Sequence, residues 1–386
     1  MDDPILSVAE LALNSDSGQS RIQVVRPRLP ELSALSPYLA RIDENRFYSN
    51  HGPLLQELER RLCFAFGLAH NTVSACSNGT MALWAAILAA RRISPRPGRN
   101  LCLVPGYTFV GTLSAVQMAG LSPWICDVDP WTWALDPAAL RAHPRLEEVA
   151  VVVPVAPYGR RPDLRAWAEF SRGTGIAVVI DAAACFEWLA GAAHEIPPEV
   201  PLALSLHATK SFGCGEGGLV VATDPELMRI AHATLNFGFA GRRTADCLGA
   251  NGKMSEYHAA VALAELDGWP AKAEAWARIA RMWRAAQPGL YTAPDTASCY
   301  ALLDAGNGTL AQETRARLAR LGIDTLSWYG TGLSAHPAHA DLAQDELIVT
   351  QSVGASLIGL PCHIDLTERD IARIADALIL PLIRHG

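Results

Sequence analysis

From Asn71 to about Gly238 the chain alternates between two textures, and this constrains its fold more than any other feature. Short apolar, β-branched runs read as buried strands: "NTVSACS", "NLCLVP", "SPWICDVD", "VAVVVPVAP", "GIAVVID", "LALSLH" and "GGLVVATD". Helical patterns such as "TMALWAAILAARR" and "DLRAWAEFSRGTG" lie between most of them. Continuous apolar strands separated by helices predict an α/β fold, with a mostly parallel central sheet covered by helices on both faces.

Upstream, "GPLLQELERRLCFAFG" places Leu54, Leu55, Leu58, Leu62 and Phe66 on one stripe of a helix, with Pro53 in its first turn. After "MSEYHAAVALAELDGW" the texture becomes rich in alanine and arginine as far as about Ala286, followed by weaker strands and helices. A chain of 386 residues is long for one simple core. We expect a large unit over residues 1–268 and a smaller C-terminal α+β unit over 269–386, whose last helix has Thr367 as N-cap and Asp370 at N3. The extreme N-terminus reads as loosely tied.

Charged residues are 18% of the chain against 50% hydrophobic ones, which predicts a well-buried core and a buried subunit interface. A net charge of −7 without a basic tract argues against nucleic acid or an anionic membrane as partner. "MALWAAILAA" meets Arg91 and Arg92 well short of the roughly 20 residues a bilayer requires. The acidic start "MDDPILSVAE" does not read as a signal peptide. Nine scattered cysteines without a CxxC pair suggest free thiols in a reducing cytoplasm. Cys362 and His363 are adjacent, so on a strand they face opposite ways, and no metal ligand is assigned.

Three segments carry chemistry. In "SACSNGTMAL" a strand ends and a helix begins at Asn78-Gly79-Thr80, where free N–H groups and the helix dipole favour a phosphate; the plain alternative is a well-capped turn. In "VVIDAAACFEW" Asp181 ends an apolar strand, on the face where parallel sheets bind ligands; otherwise it caps a helix. In "SLHATKSFGCGEGG" Lys210 stands between a strand carrying Ser205 and a glycine-rich turn, either as a surface charge or as an amine able to attack a carbonyl. A phosphate cradle, an acid for a ring nitrogen and a lysine for an aldehyde are together three contacts that pyridoxal phosphate needs. No GxGxxG follows the first strand, which weighs against a Rossmann-type dehydrogenase.

These segments, with "RFYSNHGPLLQELE", "VPGYTFVGT", "DVDPWTWALDP", "PYGRRPDL", "LNFGF" and "GANGKMSEYHAA", resemble in order the landmarks of the DegT/DnrJ/EryC1/StrS sugar aminotransferases, pyridoxal-phosphate enzymes of fold type I. The resemblance runs from about Arg26 to the C-terminus. It implies that Lys210 forms the Schiff base with the cofactor and that Asp181 pairs with the pyridinium nitrogen. Gly79, Thr80 and Ser205 would hold the phosphate, and Phe109 would stack on the ring. Asn251 would reach the phosphate of the other subunit, making the protein a homodimer with shared sites. The family's usual Gln or His three residues after the aspartate is Ala184 here, which bears on cofactor affinity and on room for water or substrate.

The implied reaction takes an amino group from L-glutamate to a keto-sugar, a nucleotide-linked 4-keto-6-deoxysugar, by ping-pong kinetics. Arg242 and Arg243 are candidates for a diphosphate, and Trp328, Tyr329 and His336 for substrate contact. Tyr158 and His207 read as structural. Alternatives are another fold type I enzyme (a sugar dehydratase or a transaminase of a non-nucleotide substrate) and a cofactor-binding regulator without turnover.

Overall fold

The structure is a computed structural model that describes residues 21–192, 195–287 and 296–379. The first 20 residues, expected to be loosely tied, lie outside them. After α1 (Leu32–Asn45) and α2 (Pro53–Phe66) come β1 (Val73–Cys76), α3 (Gly79–Ile93), β2 (Leu101–Pro105), α4 (Val110–Met118), β3 (Ser122–Cys126), α5 (Pro137–Leu140), β4 (Val149–Val152) and α6 (Leu164–Thr174). Next are β5 (Ala177–Val178), β6 (Ile180–Asp181), α7 (Phe186–Ala192), β7 (Leu202–Ser205), β8 (Gly218–Val221), α8 (Pro225–Leu235) and α9 (Glu256–Ala286). The C-terminal part adds β9 (Ala301–Asp304), α10 (Gly308–Arg320), β10 (Ala343–Gln344), α11 (Ile348–Ser356), β11 (Leu357–Leu360) and α12 (Glu368–Ala377). All seven apolar runs read as strands contribute strand residues.

The strands order as β10-β3-β2-β4-β5 and β1-β8-β7-β6. The near-continuous run 177–181 joins the two sets: Val179 N–H donates to Val152 on one side and Ile180 N–H to Pro201 on the other. Within these two sets pairing is parallel except around β8, which runs against both β1 and β7, and β9 and β11 form a separate antiparallel pair. β1, β2 and β4 are buried on both faces, so their sequences are largely apolar rather than alternating.

α9 is 31 residues long and passes Gly268 and Pro270 unbroken. A division of the chain near Gly268, midway along this helix, is our proposal. It is supported by the packing: Ala259, Ala260, Ala262 and Leu263 join the core under α2, whereas Trp276, Ile279 and Trp283 join a second core with β9, β11 and α12. Residues at the N-terminal end of the described chain also lie on this second core, with Ile22 bridging Ile323 and Arg21 paired to Asp324 at 2.9 Å. Thr367 and Asp370 form the expected capping box of α12.

Two helices are capped from a distance. Gly52, the N-cap of α2, has no side chain to offer, and the buried Glu256 carboxylate takes the N–H groups of Leu54 and Leu55 at 2.8 and 2.9 Å. Asp127, just past β3, takes those of Val349 and Thr350 at the start of α11, both at 2.8 Å. A carboxylate there also meets the positive end of the helix dipole. Glu256→Ala strips two buried donors of their acceptor, and a loss of about 3 kcal/mol is expected, read as a lower urea midpoint at unchanged slope.

Candidate active site

The site lies at the C-terminal ends of β6 and β7 and the start of α3. Asp181 ends β6 and accepts the Thr112 hydroxyl at 2.7 Å and the Ala183 N–H at 3.2 Å. It is half-buried, and this burial pushes its carboxyl above the ordinary range, opposed by those two donors and by the charge of Lys210. β7 ends at Ser205, and the chain then turns, with Lys210 N–H bonded to the His207 carbonyl at 2.9 Å. His207 is thus on a turn rather than a strand, and its Nδ1 meets the Thr209 hydroxyl at 2.8 Å. The Lys210 ammonium is not a free surface charge: its Nζ donates to the Tyr300 hydroxyl at 3.0 Å.

Gly79 opens α3, whose first-turn N–H groups have no acceptor within the helix. Its bare Cα faces Ser205: a Cβ at residue 79 would stand 2.9 Å from the Ser205 Cβ. Gly218 is tighter still, since a Cβ there would sit 2.3 Å from the Asn78 carbonyl oxygen. Across the same mouth Gly111 is flanked by Thr80 Oγ1 and the Phe109 ring, at 3.2 and 3.1 Å from a would-be Cβ. Phe109 is 60% exposed, a large apolar face left open beside these polar groups.

An aromatic wall backs Lys210. Tyr329 stacks on Tyr158 at 4.7 Å, and Tyr300 meets Tyr158 and Trp328 edge-on at 5.2 and 5.1 Å. The Tyr107 and Tyr158 hydroxyls are 2.8 Å apart. Tyr158 is buried and packs, as expected, yet it holds a left-handed backbone (φ 55°) that bulky residues rarely adopt. Its N–H is satisfied by the Tyr329 hydroxyl at 3.3 Å. Ala184 is buried in the same cluster, and its carbonyl closes on Gly159, where a Cβ would be only 2.5 Å away.

Gly79, Thr80, Phe109, Asp181, Ser205 and Lys210 therefore converge, and Trp328 and Tyr329 join them through Tyr300. Asn251 is exposed, on a segment whose neighbour Gly252 accepts the Ser77 N–H at 2.8 Å, next to the α3 turn. Arg242 and Arg243 are exposed, and Arg242 pairs with Asp246 at 2.7 Å within its own loop. His336 meets His339 edge-on at 6.0 Å. The cations that line a recess with Lys210 are Arg26, Arg28 and Lys272, which the sequence reading did not single out. Thr112 and Tyr300 were also missed. Thr112 lies in the first turn of α4, whose N-cap is Phe109; Tyr300 leads an apolar strand.

The donor set suits a flat cofactor with an anionic end, a ring nitrogen and an aldehyde. The α3 mouth with the Ser205 and Thr80 hydroxyls would suit an anion, the Asp181 carboxylate a ring cation, and the Lys210 amine an electrophilic carbon.

Comparison with known proteins agrees. The DegT/DnrJ/EryC1/StrS aminotransferase family matches residues 33–379. The chain belongs to that family. It is similar to protein MT3510 of Mycobacterium tuberculosis, at 29% identity over 93% of this chain and 89% of that one. It is also similar to the dTDP-4-amino-4,6-dideoxy-D-glucose transaminase of Escherichia coli, at 27% identity over 93% and 98%. Among solved structures, a Bacillus cereus protein assigned as a PLP-dependent aminotransferase superposes with a TM-score of 0.83 at 26% identity, covering 93% of this chain and 99% of that one. The expected fold type I architecture is thereby established.

The raised carboxyl of Asp181 sets a pH dependence. A group protonated more readily in the folded than in the unfolded chain costs stability as pH climbs from the unfolded value, about 3.9, through the folded one. Asp181→Asn removes that cost. The melting temperature of the cofactor-free variant, minus that of wild type, should therefore grow from pH 4.5 to pH 8. A difference that stays flat would contradict the assignment.

Proposed function

We propose that this aminotransferase binds pyridoxal phosphate and moves an amino group from L-glutamate to a nucleotide-linked 4-keto-6-deoxysugar. The observation that carries this reading is the convergence of Lys210, Asp181 and the Gly79–Ser205 cradle at one sheet edge. Bound there, the cofactor would supply an aldehyde and an electron sink. Gly79 and Thr80 N–H groups and the Ser205 hydroxyl hold its phosphate, and Asp181, ionised beside a ring cation, keeps the ring nitrogen protonated. Phe109 covers the ring face. Lys210 Nζ would take the proton from the donor's α-carbon and deliver it to the cofactor's former aldehyde carbon within the same half-reaction, and run the shift in reverse with the acceptor, so the kinetics are ping-pong. Tyr300 holds that amine on the side of the aromatic wall.

The sugar acceptor is supported by likeness to the dTDP-sugar transaminase. A homodimer with shared sites is supported by the exposed rings of Phe47, Tyr48, Phe237 and Tyr257, of which Tyr48 and Tyr257 stack at 6.3 Å. In that dimer Asn251 reaches the partner's phosphate.

The deciding measurement is the absorption spectrum of the protein with pyridoxal phosphate, before and after L-glutamate. A band of lysine-bound cofactor is expected in wild type and not in Lys210→Ala, and glutamate should convert it to the pyridoxamine form. A band that ignores every amino donor tried would move the reading to a dehydratase or a regulator. Lys210→Ala should lower turnover by about 10²–10⁴-fold or more. Tyr300→Phe should lower kcat about tenfold with KM for glutamate little changed, since it loosens the aim of a group already in place.

A further inference from the structure

Away from this site, at the outer β1 edge of the sheet, three side chains from separate elements meet. His51 lies in the loop before α2, Glu59 in α2 and His232 in α8. One ring nitrogen of each histidine and one Glu59 oxygen lie within 4.8 Å of one another. His51 Nε2 is 3.3 Å from Glu59 Oε2, and the two imidazole rings meet edge-on at 4.6 Å. Two ligands on a tetrahedral ion at about 2.05 Å stand roughly 3.3 Å apart, so this pair already has a ligand spacing. Outer partners hold the set: Ala75 N–H donates to Glu59 Oε1 at 2.8 Å, and Ser74 Oγ lies 3.3 Å from His232 Nδ1. Such contacts orient ligands in metal sites. The His51 side chain is 31% exposed, which leaves a way in from solvent.

We propose that His51, Glu59 and His232 bind a divalent transition-metal ion of the zinc class. Two imidazoles and a carboxylate suit such an ion better than calcium or magnesium, which take oxygen ligands. The ion would tie the 46–52 loop to α2 and α8. That loop holds Asn50 and His51 consecutively at φ 62° and 59°, a backbone that external contacts must stabilise. No sequence spacing announces the trio, because His232 is 173 residues beyond Glu59. A second cluster, Cys126, His143 and Asp345, is organised otherwise. Arg145 N–H donates to His143 Nδ1 at 3.2 Å, which puts the proton of a neutral ring on Nε2, and Trp124 Nε1 already occupies Asp345 Oδ1 at 2.8 Å.

The test is titration of the full-length, chelator-stripped protein with Co²⁺, followed by visible absorption and by competition with Zn²⁺. One Co²⁺ per chain is expected, with ligand-field bands and no thiolate charge-transfer band. Glu59→Gln, which keeps an acceptor for Ala75, and His51→Ala, in the loop, should each weaken binding at least tenfold with native far-UV circular dichroism; if Glu59→Gln does not fold, His51→Ala decides. Cys126→Ser should bind as wild type does. The proposal is overturned if Co²⁺ does not bind, if His51→Ala binds it unchanged, or if Cys126→Ser abolishes the signal.

Discussion

One reversed strand holds the active site together. β8 pairs with β1 on one side and β7 on the other, so Gly218 stands opposite both Cys76 and Ser205. Two strand spacings, about 9–10 Å, separate the ends of β1 and β7. The turn after β1 crosses that gap over Gly218, which has no side chain to block it, and arrives with Gly79 against Ser205. A side chain at 218 would meet the Asn78 carbonyl at once. The meeting of Gly79 with Ser205 therefore depends on a strand more than 130 residues from the turn it supports. Neither the hydroxyl nor the helix mouth would be placed without that pairing.

Much of this was legible because the information is local. The strands betray themselves by burial on both faces, α2 by its apolar stripe and Pro53, and α12 by Thr367 and Asp370. What was not legible is supplied from afar. The caps of α2 and α11 come from Glu256 and Asp127, roughly 200 residues from the N–H groups they satisfy, and nothing in the adjoining sequence calls for them. The reversed direction of β8 is equally silent, since a buried strand reads the same either way.

The site divides along the same line. Asp181, Ser205 and Lys210 each end or follow a strand, and Gly79 and Thr80 open a helix, so order along the chain suggested where they meet. Tyr300 reaches Lys210 from 90 residues away, in front of an apolar strand whose pattern explains a tyrosine as core. Arg242 and Arg243 attract notice as a pair in a loop, within which Arg242 meets Asp246 at 2.7 Å. Arg26 and Arg28 attract none, and the fold brings them to the recess by laying the N-terminal residues across the second core, where Cys362 N–H donates to Val24 at 2.9 Å.

The free site is poised against itself. Partial burial of Asp181 favours its neutral form, while its lone-pair partners, the Thr112 hydroxyl and Ala183 N–H, favour the ionised one. The nearest cation, Lys210, is held instead by the neutral hydroxyl of Tyr300. A ligand that brings a ring cation to Asp181 and an electrophile to Lys210 resolves both at once, and its apolar face covers Phe109. Ala184 fits this logic. A polar side chain there would have to find its partner among four tyrosines already engaged with one another and with Lys210. A methyl group asks for none.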